Sequence, residues 1–509
     1  MRFASENERQ SGTGQELIAG RLQRAATTMN LSAPMTTLLH RIATRIYGSA
    51  VAWSFVFTAI RAGGNLLVLP LMLHKLTPDD LGLWYVFLSL GGLASLIDFG
   101  FYPTMSRVTA YLWAGAEEIH ETGVPPVALA GDSPPPPNYR LLADLVKTMQ
   151  IYYRGIGLLI TVVMGVAGTI WIVRKTAHLP DANLVLWAWL LFLAGIFVNI
   201  TSGMWHPLLS GINQVRLNQQ VFICGLIANY LTILVGLLLG AGLFAPVAGF
   251  FLMGAISRSM ARLKFNQFTK AKEHAAAARW SSKLLRGLWP TAWRTGIVTL
   301  GIYATLNLGT LICSAFLGLK AAASYGLSMQ LVLAAAAIAA SFVLVKLPLI
   351  AQMHALGKTR EISNLVFPRM RWFWSVYVGL AVITVVLGDR VIHGWFHSQT
   401  PLLPTPLLIA LFVVTGLEGH HGVFRELALT AHRNPFAKPV VVSGILIVLL
   451  SSLLVPRIGL WGLILVPGII QLSFNNWWTV VVGLRSMGSS VGDYLGGLVG
   501  RTAAAPTTP

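Results

Sequence analysis

Apolar residues fall into about a dozen blocks between Ser49 and Met487, and the charged residues gather in the gaps between them. At about 1.5 Å rise per residue, about 20 apolar residues cross a hydrocarbon core of about 30 Å. In lipid each backbone N–H and C=O has to be satisfied within its own segment, so each block predicts a transmembrane helix. The pattern places helices at about 50–73, 82–112, 148–174, 184–208, 217–241, 243–264, 290–318, 321–350, 366–388, 402–430, 436–456 and 460–484. An all-α polytopic membrane protein of about twelve spans follows. Composition supports this: 55% of the 509 residues are hydrophobic, only 11% are charged, and the mean hydropathy is +0.67. A soluble chain carries about a quarter charged residues, so lipid has to solvate most of this surface.

Lys and Arg are distributed unevenly about that membrane. With twelve spans, one side receives both termini and the even-numbered loops. It carries Arg2, Arg9, Arg21, Arg24, Arg41 and Arg45 in the N-terminal arm, and Arg258, Arg262, Lys264, Lys270, Lys272, Arg279, Lys283 and Arg286 around the central loop. Lys358, Arg360, Arg369, Arg371, Arg433 and Lys438 add to it, whereas the opposite side has Lys75, Arg174, Lys175, Lys320, Arg390 and Arg457. The positive-inside rule then puts both termini in the cytoplasm. These residues account for the net charge of +19. They flank hydrophobic spans, so their expected neighbours are anionic membrane lipids, not nucleic acid.

The organisation follows from the loops. A basic N-terminal arm (1–48) precedes a six-helix bundle (49–264), a basic linker (265–289), a second six-helix bundle (290–485) and a tail (486–509). In the arm, Leu38, Leu39, Ile42 and Ile46 fall at helical spacing beside Arg41 and Arg45, which fits either a surface amphipathic helix or a mobile basic arm. The arm lacks the apolar core of a cleavable signal peptide. The segment 113–147 is an acidic, proline-rich insertion containing Pro125, Pro126 and Pro134 to Pro137. No stretch is long enough for a soluble catalytic domain. Gly357-Lys358-Thr359 resembles the end of a phosphate loop, but Gln352 stands where the first glycine is required. Cys224 and Cys313 lie within spans and form no disulfide or metal pattern, so packing roles are expected for both and neither metal nor cofactor is implied.

The two halves echo one another. Gly82 and Pro103 bracket the second helix as Gly326 and Pro348 bracket the eighth. Leu209-Ser210-Gly211 and Gly242-Leu243-Phe244 flank the fifth helix as Leu429-Thr430-Ala431 and Gly459-Leu460-Trp461 flank the eleventh. Each half has six spans, so equivalent helices run the same way. That predicts a parallel repeat, two bundles facing a central cavity.

Leu76-Thr77-Pro78-Asp79-Asp80-Leu81-Gly82-Leu83-Trp84 and Leu96-Ile97-Asp98-Phe99-Gly100 resemble the signature segments of bacterial polysaccharide biosynthesis flippases. The Pro348 segment, through Gln352 and Gly357 to Arg360, and the Gly211 and Gly459-Leu460-Trp461-Gly462 segments resemble the same family. It is part of the multidrug/oligosaccharidyl-lipid/polysaccharide exporter superfamily, and the resemblance covers about 49–485. The acidic insertion departs from it. The resemblance implies a flippase of the bacterial inner membrane that moves a polyprenyl-pyrophosphate-linked oligosaccharide (an O-antigen, capsule or exopolysaccharide repeat unit) to the outer leaflet. Its implied partners are that lipid-linked substrate, membrane lipids and other polysaccharide-assembly proteins.

Ionisable groups within a bilayer need a cavity or a partner, which makes each one a candidate. Arg61 lies near mid-depth of the first helix with Asn65 one turn on. A guanidinium fork suits a pyrophosphate; the alternative is a salt bridge to Asp98. Arg107, Arg294, Lys346 and Arg425 lie in the cytoplasmic halves of their helices, where they either form an electropositive mouth or anchor to headgroups. Glu418, His421 and Arg425 share a face of the tenth helix, beside His420 and Glu426. Glu418 or Asp98 either carries a coupling proton or neutralises these arginines. Gln471, Asn475 and Asn476 bond either glycan hydroxyls or another helix. Competing readings are a drug or cation antiporter of the superfamily, a lipid II flippase, and a membrane glycosyltransferase or polymerase. The basic intramembrane excess opposes the first, and the short outward loops oppose the last. No enzymatic activity is expected.

Overall fold

The computed structural model describes residues 50–96, 100–119, 135–269, 273, 277–431 and 435–500. The N-terminal arm, Asp98, residues 120–134 of the insertion, Lys270, Lys272, Arg433 and residues 501–509 lie outside them. The described chain is helical, with no strand among the described residues. The first half comprises α1 (Ala50–Lys75), α2 (Pro78–Ser95), α3 (Phe101–Trp113), α4 (Tyr139–Thr176), α5 (Ala182–Thr201), α6 (Trp205–Gly211), α7 (Val215–Leu238) and α8 (Phe244–Thr269). The second comprises α9 (Ser282–Leu306), α10 (Leu308–Leu317), α11 (Leu319–Leu344), α12 (Leu347–Ala355), α13 (Thr359–Asp389), α14 (Thr405–Thr430), α15 (Ala437–Ile458), α16 (Leu460–Ser473) and α17 (Asn475–Ser486). A π-helical turn, Arg390–Trp395, extends α13, and a short α18 (Val491–Leu498) follows the last span.

Among the described residues, helix lies in each of the twelve predicted spans. Among the described residues nine helices are long and apolar enough to cross a bilayer alone, and the pair α9–α10, bent by 45°, makes a tenth. The second and twelfth spans are each broken. Gly100, at φ 71°, separates α2 from α3, a left-handed position that suits a residue without Cβ. Phe474, at φ −145° and ψ −59°, separates α16 from α17. The eighth span also breaks at Lys346, because Pro348 at the start of α12 has no N–H to continue the ladder. Hydropathy averages across such breaks and does not register them.

Capping side chains set the true helix starts. Thr77 accepts from the Asp80 N–H ahead of α2, with Pro78 in the first turn. Asn138 accepts from the Leu141 N–H, so α4 begins at Tyr139, directly after the Pro134 to Pro137 run, and not at 148. Ser281 likewise caps α9, which begins at Ser282 and not at 290. Leu142, Leu145 and Met149 are buried, so the early turns of α4 pack as part of the fold.

Large exposed apolar side chains line the outer stripes of α4, α13 and α15, among them Leu158, Val162, Val166, Val382, Val386, Leu449 and Leu453. These stripes are where acyl chains take the place of water. The halves meet where α2 packs on α11. Leu81, Leu319, Ala322, Ala323 and Leu327 are buried along these two helices, and Tyr85 Oη donates to Gln330 Oε1 at 2.7 Å. Tyr303 Oη donates to the Ser89 carbonyl close by. Gly82 sits against the Leu319 carbonyl and Gly326 against the Tyr85 ring. The repeated glycines therefore face one another's helices. The Gly82–Leu319 approach lies at the starts of both helices, beside the short turns that precede them.

Candidate functional site

Arg61 and Asn65 occupy one azimuth of α1, spaced i and i+4. Val68 and Met72 continue it at i+7 and i+11 and are only 5% and 7% exposed. The azimuth therefore points into the fold. It is sealed beyond Val68 and open at Asn65 and Arg61, both of which are exposed. Arg61 lies about 17–21 Å along the helix from either end of α1. Its guanidinium stacks over the Phe57 ring at 5.5 Å. Tyr230 Oη on α7 donates to the Arg61 carbonyl at 2.9 Å and lies 3.4 Å from Asn65 Oδ1, which ties α1 to α7. No carboxylate is within ion-pair distance of Arg61 among the described residues. The alternative partner Asp98 lies outside them.

A second polar group forms at the break in the last span. Asn475 Nδ2 donates to Ser443 Oγ at 2.8 Å and to Gln471 Oε1 at 2.6 Å. Gln471 Nε2 in turn donates to Glu418 Oε2 at 3.2 Å. This chain joins α14, α15, α16 and α17. Gln471, Asn475 and Asn476 are all buried, and the side chains of Gln471 and Asn475 bond neighbouring helices. His421 Nδ1 lies 3.8 Å from Glu418 Oε1, and both atoms, with Asn476 Oδ1, are buried without a hydrogen-bond partner. Arg425 turns instead to Glu426, at 3.3 Å. His420 Nε2 pairs with Tyr494 Oη of α18 at 2.8 Å, within a ring cluster that includes Trp374 and Phe424.

Neither Arg107 nor Lys346 is bonded to either group among the described residues. Arg107 is exposed on α3 without an ion pair among the described residues. Lys346 is half-buried at the α11–α12 break. The side chain of Arg294, on α9, is outside the described set. Of the cysteines, Cys313 is packed as expected, whereas Cys224 is exposed on α7 and fills no interior space. Two features gave no signal in the sequence. His206 Nδ1 meets Asn218 Oδ1 at 2.7 Å while its ring stacks on Phe222 at 3.8 Å, and Asn218 Nδ2 donates to Ser210 Oγ at 2.8 Å, pinning α6 to α7. Arg258 Nε donates to the Asn199 carbonyl at 3.0 Å, bracing α8 on α5.

No protein-family model and no curated protein matches the chain. Solved structures do. The chain is similar to the inward-facing conformation of a multidrug resistance MATE family transporter of the MOP superfamily, with a TM-score of 0.60 and 12% identity over 84% of this chain and 94% of that one. It is similar to an outward-facing conformation of such a transporter at a TM-score of 0.52 and 10% identity, over 87% and 97%. Lipid II flippase MurJ in an inward closed conformation gives a TM-score of 0.50 and 13% identity, over 87% and 90%. At such identities the likeness establishes the fold, a multi-pass membrane protein of two six-helix lobes.

Proposed function

We propose that the protein is a flippase of the bacterial cytoplasmic membrane that carries a polyprenyl-pyrophosphate-linked oligosaccharide to the outer leaflet by alternating access of its lobes. The observation that carries this reading is Arg61, an exposed guanidinium at mid-span on the helix azimuth shared with buried Val68 and Met72, without a carboxylate partner among the described residues. A charge at that depth costs about 2.5–3.5 kcal/mol or more unless water or a counter-ion meets it. A pyrophosphate is an anion that both fits the guanidinium fork and travels with a lipid. Asn65 adds a polar contact one turn away. In this reading the contact between α2 and α11 is the outer closure, and Arg61 is reached from the basic face, where the substrate would enter. Arg107, Lys346 and Arg294 lie toward that side and would draw a doubly negative head inward. The signature segments around Gly82, Asp98 and Pro348 support the same cargo class, and the shared fold of MATE transporters and MurJ supports alternating access.

Glu418 and His421 are assigned to coupling in this reading. Arg425 pairs with Glu426, and Glu418 and His421 face one another at 3.8 Å, a spacing across which one proton could be taken up and released. The experiment is reconstitution with a fluorescent polyprenyl-pyrophosphate oligosaccharide. Wild type should translocate it, Arg61→Ala should lose at least ten-fold in rate, and Arg61→Lys should keep part. A wild-type rate in Arg61→Ala would overturn the assignment. Uptake of organic cations without lipid movement would favour the antiporter, transport of lipid II in preference would favour that flippase, and a glycosyl-transfer product without translocation would favour an enzyme.

A further inference from the structure

A pocket of about 340 Å³ opens on the flank of the first lobe between α4, α5, α6 and α8, away from Arg61 and from Glu418. Its polar wall is Gln150, Arg154, Thr201, Ser202 and Arg262. Arg154 and Arg262 are exposed, and neither has a carboxylate within ion-pair distance among the described residues. The Arg262 guanidinium is held over the Trp205 ring at 5.4 Å, which fixes its direction without neutralising it. Thr201 Oγ1 donates to the Phe197 carbonyl at 2.7 Å, so its remaining capacity is as an acceptor. The pocket thus presents two uncompensated forks and no acid.

Its depth identifies the ligand. On α4 a run of exposed apolar side chains starts at Leu158, one turn after Arg154 on the same face, and passes through Val162 and Val166 to Val173, with Ile151 the one large exposed apolar side chain of the helix before Arg154. Arg154 and Arg174 bracket this stripe about 30 Å apart, which is the thickness of a hydrocarbon core. Arg154 is therefore at headgroup level on the basic side. Leu158 and Phe197, which line the pocket, are both exposed and lead from it directly into the apolar belt. A ligand seated here has an anionic head at the arginines and apolar chains along α4 and α5.

We propose that this pocket binds the phosphate of an anionic glycerophospholipid from the leaflet at the basic face. Arg154 and Arg262 would clamp the phosphodiester oxygens, Gln150 and Ser202 would meet the headgroup hydroxyls, and Leu158 and Phe197 would receive an acyl chain. Bound there, the lipid would join α4 to α8 across a seam that the protein itself fills with like charge.

The test uses the full chain and native mass spectrometry from mixed phosphatidylcholine–phosphatidylglycerol nanodiscs. Wild type should retain phosphatidylglycerol over phosphatidylcholine. The double variant Arg154→Gln/Arg262→Gln should lose that retention by about ten-fold or more, while Arg174→Gln, at the opposite face, should not. If the double variant fails to fold, Arg154→Gln alone, which removes an exposed side chain, should still lower occupancy by about three-fold. Inorganic phosphate at millimolar concentration should not displace the lipid. Equal retention by wild type and the Arg154→Gln or double variant overturns the proposal. Displacement by inorganic phosphate reassigns the pocket to a free anion and also overturns it. Stronger retention of undecaprenyl pyrophosphate than of phosphatidylglycerol makes the pocket a carrier site and likewise overturns it. The Arg61 transport assay is independent of every one of these outcomes.

Discussion

Gly82→Ala should bias the protein away from the state described here. A Cβ at residue 82 would lie 2.2 Å from the Leu319 carbonyl oxygen and 2.9 Å from its carbon, whereas ordinary contact begins at 3.4 Å. The obstacle is backbone, so it cannot rotate away, and α2 and α11 must part by about 1 Å. Overpacking of this kind costs about 1–3 kcal/mol. The penalty falls only on the state in which α2 and α11 touch, so the equilibrium shifts toward the separated state by about 5- to 150-fold. Ala323, buried and on the same α11 face as Leu319 and Gly326, is a suitable reporter position. In a background lacking the two free cysteines, Cys224 and Cys313, an Ala323→Cys side chain can be titrated from outside with a membrane-impermeant maleimide. Labelling should accelerate by about that factor when Gly82→Ala is added. Equal labelling rates with and without Gly82→Ala would refute the claim that α2 and α11 form the outer closure.

Two further outcomes follow from the second-lobe cluster. Glu418→Gln preserves an acceptor for Gln471 Nε2, so thermal stability should change little. Stimulation of transport by an imposed pH gradient should vanish, and a gradient response equal to wild type would remove Glu418 from coupling. Asn475→Ala deletes both the Ser443 and the Gln471 bonds, and should destabilise the second lobe by about 1–2 kcal/mol in a reversible detergent-unfolding titration; no change would mean that α16 and α17 are not held through this amide.

The spans were legible because bilayer thickness imposes length and apolarity on every one of them. The charge asymmetry, and the glycines at 82 and 326, were legible for related reasons: each reflects a local requirement. Helical spacing also placed Glu418 beside His421. What hydropathy did not reveal was discontinuity. Gly100, Lys346 and Phe474 interrupt blocks that are apolar on both sides, and a running average passes over them. Nor did the sequence reveal that Gln471 reaches Glu418, because the two are distant in the chain and nothing in either segment names the other. Arg154 and Arg262 read from sequence as ordinary basic flanking residues, and only the packing of α4 against α5 and α8 brings them to one pocket.

The second and eighth spans each carry an elbow just before a proline, at Gly100 ahead of Pro103 and at Lys346 ahead of Pro348. If these paired joints act as hinges, each rod would divide into an upper arm that carries the α2–α11 contact and a lower arm that moves in the transport cycle. A lesion that stiffens one elbow should then limp rather than halt, and stiffening both should freeze the cycle, because motion lost on one side could no longer be borrowed from its twin.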